Sequence, residues 1–92
     1  MINQIEPWID DCEMNELKRV VDSTFVTEAR LTEEFEDMNK ALTGAKHAIA
    51  MSNGTAALFC ALKALGIGVG DEVILPDMTF IASANAVIMS GA

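Results

Sequence analysis

The stretch from Ala56 to Leu65, AALFCALKAL, constrains this chain most. It has helical composition and is apolar nearly all round, so a helix there has to be covered on most of its sides. Its flanks say what covers it. Before it, His47-Ala-Ile-Ala-Met51 is short, mostly apolar and bounded by turn residues, the pattern of a buried strand. Ser52-Asn53-Gly54-Thr55 makes a tight turn between the two, and Gly66 stops the helix. After a loop over 67–71, Glu72-Val-Ile-Leu75 reads as a second buried strand ended by Pro76, and a further helix runs from Phe80 to Met89. Strand, helix, strand, helix is the grammar of an α/β protein with a parallel-rich sheet flanked by helices. Two strands do not complete such a sheet. With 92 residues the chain holds one small domain at most, and its 51% apolar content suits a piece of a buried core.

The leading part differs in character. Residues 1–40 carry 11 acidic against 4 basic side chains; residues 41–92 carry 3 against 2, together with all six glycines. Residues 1–9 read as extended, since Pro7 disfavours helix at Glu6. Asp10 or Asp11 caps a helix running to about Asp22 and burying Leu17, Val20 and Val21. Ser23 to Arg30 lacks a helical period and is read as a loop. Thr32 then caps a second helix, with Glu33, Glu34 and Glu36 near the positive end of its dipole. Its apolar stripe is Leu31, Phe35, Met38 and Leu42, and Gly44 sits where a terminating glycine belongs.

The net charge of −8 disfavours nucleic acid and anionic membranes as partners. No run approaches the ~18 consecutive apolar residues of a membrane span. The first residues lack the basic start and apolar core of a signal peptide. Cys12 and Cys60 do not make a disulfide framework; free thiols are expected, with Cys60 in the core and the protein in the reducing cytoplasm. His47 has no Cys, Asp or Glu at metal spacing, and no metal site is expected.

Two segments carry chemistry. At 51–57 a strand enters a glycine turn and a helix leaves it with Ser and Thr hydroxyls at its mouth. Free N–H groups and the helix dipole make an anion site there, although an ordinary capped turn has the same pattern. It is neither a Walker loop nor a dinucleotide fingerprint: no Gly-Lys-[Ser/Thr] follows, and Gly66, Gly68 and Gly70 come after a helix. The second segment, Asp71 to Ser83, delivers Pro76, Thr79 and Phe80 to the edge of the sheet where α/β proteins bind ligands. Phe80 there suits either stacking on a planar cofactor or a place in the core.

Together these stretches resemble the DegT/DnrJ/EryC1/StrS family of pyridoxal-phosphate sugar aminotransferases. The matching residues are Phe35-Glu36, Ser52-Asn-Gly-Thr-Ala-Ala-Leu58, Ala61-Leu62, Leu65-Gly-Ile-Gly-Val-Gly-Asp-Glu-Val-Ile-Leu-Pro76, Thr79-Phe-Ile-Ala-Ser-Ala-Asn-Ala-Val87 and Gly91-Ala92. The combination of Ser-Asn-Gly-Thr with Ile-Ala-Ser-Ala-Asn is nearest to members acting on GDP-4-keto-6-deoxymannose. The resemblance implies the N-terminal part of a fold-type I aminotransferase with its sheet incomplete here. Residues 1–30 would be an arm, helix and loop, and 31–92 the start of the large cofactor-binding domain. It implies pyridoxal 5′-phosphate as cofactor, glutamate and a nucleotide sugar as substrates, and a homodimer whose active sites use both subunits. By position, Gly54, Thr55 and Ala56 match the turn that holds the cofactor phosphate, and Phe80 the aromatic stacked on its ring. Residues 23–32 match a Ser-Gly-x-x-Thr-x-Gly loop near the sugar site, with Thr24 and Ala29 where glycines are usual.

The family's Schiff-base lysine and the acid that pairs with the pyridinium nitrogen belong further along the chain. Lys18, Lys40, Lys46 and Lys63 lie in or beside helices in the wrong context, so no catalytic residue is expected here and this segment alone is expected inactive. In the family the first strand of the large domain pairs mainly with a much later one, which would leave 47–51 without its partner. The alternative is a non-catalytic binding or assembly module derived from the same scaffold.

Overall fold

A computed structural model describes residues 2–3, 5–27 and 30–92. It contains four helices among the described residues: α1 (Asp11–Ser23), α2 (Arg30–Thr43), α3 (Gly54–Ala64) and α4 (Ala82–Ser90). They fall into two compact units, Met1–Ile49 and Ala50–Ala92.

In the first unit, α1 is set by its N-terminus. The Asp10 side chain accepts from the Cys12 N–H at 2.8 Å, and the Asp10 N–H donates to Glu13 Oε2 at 2.8 Å, a reciprocal capping box. The indole N–H of Trp8 donates to the same Asp10 carboxylate at 3.1 Å. The helix ends at Thr24, whose φ of 63° lies in the left-handed region. α2 starts two residues before the expected Thr32 cap. Arg30 is already helical and reaches Glu34 one turn on at 2.9 Å, which places Thr32 inside the first turn. Gly44 ends α2 at φ 72°, its N–H on the Lys40 carbonyl at 2.9 Å. Arg19 of α1 and Glu34 of α2 approach to 3.8 Å. The departure from glycine at Ala29 lies outside the described residues.

In the second unit, α3 packs on α4. α3 stops in a Schellman turn: the Gly66 N–H reaches the Lys63 carbonyl and the Ile67 N–H the Leu62 carbonyl, both at 3.0 Å, with Gly66 at φ 78°. α4 offers Ala82, Ala86 and Ser90, one residue per turn on one face, and these are the buried residues of the described chain. Small side chains on that face let two backbones come close. Lys63, in the last turn of α3, donates to the carbonyl of Ser90, the last residue of α4, at 3.2 Å. The two helices therefore pack with their C-terminal ends together and run in the same direction.

The sequence expectations for the helices hold to within a turn, whereas those for the core do not. Leu17 and Val21 on α1, and Phe35, Met38 and Leu42 on α2, are exposed rather than buried, and so is Cys60 on α3. The physical reason is coverage: 8219 Å² of the chain is accessible, against about 5,200 Å² for a compact protein of this mass. The segments 47–51 and 72–75 run without helix and without a β-ladder, so the expected strands are not formed among the described residues. A strand exists only through its partner's hydrogen bonds, and no described segment supplies them to 47–51 or 72–75.

Candidate functional site

The mouth of α3 is built by Asn53. Its backbone is extended, and its side-chain oxygen accepts from the Ala56 N–H at 2.9 Å while its carbonyl accepts from the Ala57 N–H at 3.1 Å. Its amide in turn donates to Ser52 Oγ at 3.2 Å. The Ala56 and Ala57 donors are thus used within the cap. The N–H groups of Gly54 and Thr55, the first two of the helix, have no acceptor that a helix can provide. Thr55 adds a half-buried hydroxyl beside them. No acidic side chain occupies the first turn, so the positive end of the α3 dipole is not neutralised there.

Gly54 is informative for what does not require it. Its φ is not positive, and a Cβ built on it would meet nothing within 4 Å. Neither backbone conformation nor crowding inside this chain demands glycine at that position. The open space over its backbone is what a group approaching from outside the segment would use.

Phe80 stands in the segment that leads into α4 and is 76% exposed. The backbone beneath it is fixed: the Phe80 carbonyl accepts from the Ser83 N–H at 3.1 Å, and the Thr79 and Ser83 hydroxyls lie 3.1 Å apart. Because α3 and α4 run in the same direction, the Gly54–Ala56 turn and the approach to α4 lie at one end of the helix pair. All four expected site residues thus lie at the N-terminal approaches of two packed helices of one unit. The structure also places Phe80 outside the core of this chain.

Lys18 pairs with Asp22 at 2.6 Å, Lys40 pairs with Asp37, and Lys63 is at the opposite end of α3. The Lys40 ammonium is held above its ordinary range, first by the hydrogen bond to Asp37 and then by the charges of Asp37 and Glu36. Sequence reading assigned no cap to Asn53. An Asn directly before Gly-Thr-Ala-Ala at the start of an apolar helix is the signal that would have found it.

The first unit has a feature of its own: a groove of about 680 Å³ between the end of α1 and the start of α2, lined by Val20, Phe25, Leu31, Ser23, Thr27 and Arg30 among others. Arg19 and Arg30 at its rim both reach Glu34, and Arg19 also pairs with Glu16, so the guanidinium charge there is largely compensated within the chain.

Comparison with known proteins defines the class. The DegT/DnrJ/EryC1/StrS aminotransferase family matches residues 7–92, and the chain belongs to that family. Among its relatives, it is 46% identical over 92 residues to the GDP-perosamine synthase of Caulobacter vibrioides, an alignment covering 99% of this chain and 25% of that protein. It is 44% identical over 86 residues to the spore coat polysaccharide biosynthesis protein SpsC of Bacillus subtilis, covering 94% of this chain and 22% of that one. The chain thus spans about a quarter of the length of these relatives.

Proposed function

We propose that this chain forms the cofactor-phosphate end of a sugar aminotransferase that transfers an amino group, from glutamate, to a nucleotide-linked 4-keto-6-deoxy sugar. The observation that carries this reading is the mouth of α3: two unshared N–H donors, a hydroxyl and an uncrowded glycine, in a member of an aminotransferase family. Pyridoxal 5′-phosphate fits that donor set, because a phosphate dianion takes several N–H and O–H donors at a helix N-terminus. When bound, this group supplies an electron sink that carries the amino group between the two substrates.

In this reading the N–H groups of Gly54 and Thr55 and the Thr55 hydroxyl bind the phosphate. Ala56 takes part through the Asn53 cap, which holds the first turn in place. Phe80 orients the flat ring and keeps water from one of its faces. Residues 31–92 open the large domain of a fold-type I enzyme, and its sheet is completed by sequence beyond this segment. The sugar is GDP-linked, as the 46% identity to a GDP-perosamine synthase supports. The working protein is a cytoplasmic homodimer, in which residues from both copies complete each site.

Cofactor retention by the intact protein tests the reading. A hydrogen bond to a charged group contributes roughly 1.5–3 kcal/mol, so Thr55→Ala should weaken pyridoxal 5′-phosphate binding about 10- to 100-fold. Equilibrium dialysis measures this directly. Equal retention by variant and parent would remove Thr55 from the phosphate site.

A further inference from the structure

The tie between Lys63 and α4 crosses 27 residues of sequence, and it joins two helix ends. The Lys63 ammonium donates to the Ser90 carbonyl at 3.2 Å and lies 3.4 Å from the Ile67 carbonyl. Ser90 is the last residue of α4, where a helix leaves its final carbonyls without internal donors. A cation at that place satisfies the carbonyl and also lies at the negative ends of both helix dipoles.

The contact between the helices makes this tie consequential. α4 presents Ala82, Ala86 and Ser90, a smooth face of small side chains. Such a face allows close approach, but it offers no large knob to resist sliding along the axis. The Ser90 hydroxyl cannot lock the pair, because it donates to the Val87 carbonyl of its own helix at 2.7 Å. The Lys63–Ser90 bond is the side-chain hydrogen bond that joins the two helices at their C-terminal ends. A slip of one helical turn moves α4 by about 5.4 Å, and carries the opposite end of the pair by the same amount.

We propose that Lys63 is a positioning residue: it sets the register of α4 on α3, and so the spacing between the Gly54–Ala56 turn and Phe80. The link to ligand binding rests on the reading above of those residues as phosphate turn and ring-stacking aromatic. Lys63 touches neither. It acts from the other end of the helix pair, through two rigid elements.

The test uses the intact protein with Cys12 and Cys60 replaced by serine, and compares parent, Lys63→Met and Lys63→Arg. Spin labels at Leu58 and Ile88, both exposed, report the α3–α4 distance. Dialysis gives the affinity for pyridoxal 5′-phosphate, and NMR titration of the Gly54 and Thr55 amides that for inorganic phosphate. Lys63→Met should shift or broaden the distance distribution by several ångströms. It should weaken pyridoxal 5′-phosphate about tenfold while inorganic phosphate changes less than twofold, because the α3 mouth is local and only its spacing to Phe80 is lost. Lys63→Arg should restore both. An unchanged distance distribution in Lys63→Met overturns the positioning role. A changed distribution with unchanged pyridoxal 5′-phosphate affinity upholds the register and instead overturns the assignment of Phe80 and the turn to one ligand.

Discussion

Thr24 is the residue on which the backbone is most specific. It is the single non-glycine residue with positive φ among the described residues, and it is β-branched. The chain turns out of α1 here through the left-handed region, which glycine adopts most readily. A side chain there costs about 1–2 kcal/mol relative to glycine, offset in part by the greater entropy glycine loses on folding. Thr24→Gly should therefore raise the stability of the intact protein by up to about 1 kcal/mol, and Thr24→Ala should not; thermal unfolding separates them. Asp10 gives a prediction of a different kind. The Cys12 N–H, and after it the Trp8 indole, hold its carboxyl below the ordinary aspartate value of 3.8. A lowered carboxylate pKa means that the cap is fully effective above that value and is lost as pH falls through the lower one. Helicity of α1, followed by circular dichroism, should fall in that acid window. Asp10→Asn keeps an acceptor for the cap and should abolish Asp10's part of the fall.

At the scale of elements, the helices were legible in the sequence and the sheet was not. The beginnings and ends of α1 and α3 depend on residues within a few positions, such as Asp10 with Glu13 and Gly66 with Lys63 and Leu62. Such signals survive in any piece of chain that contains them. Thr32 is a good cap by type, yet Arg30 is already helical and pairs with Glu34 one turn on, so Thr32 lies inside α2. The runs 47–51 and 72–75 have the composition of buried strands, but composition supplies no ladder. The Gly54–Ala56 turn was legible for the same local reason as the helices. The placement of Phe80 at the same end of the unit followed only from the packing of α3 on α4. That packing makes its own prediction: Ala86 is 1% exposed, so Ala86→Leu should destabilise the unit by about 1–3 kcal/mol through overpacking. Denaturant unfolding of the intact protein measures it, and a change at exposed Ile88 serves as the control.

For the whole molecule, the large accessible area decides what the isolated chain will do. Leu17, Val21, Phe35, Met38 and Leu42 lie open on the first unit, and Leu58, Leu65 and Ile88 on the second. Uncovered apolar surface of this extent drives association. The 92-residue chain alone should therefore elute from size exclusion as self-associated species and unfold without a sharp transition. A monodisperse monomer with cooperative unfolding would favour the autonomous module over a part of a larger fold.

α3 is closed at both ends by its own neighbours in sequence. Asn53 closes its start and Gly66 its end, both from within the same short stretch of sequence. Structure fixed by such near neighbours forms within about a microsecond, whereas sheet pairing between distant strands waits far longer for its partners to meet. The contacts that set out the Gly54 and Thr55 donors are thus all of short sequence separation, so this helix end can form before any long-range pairing is in place.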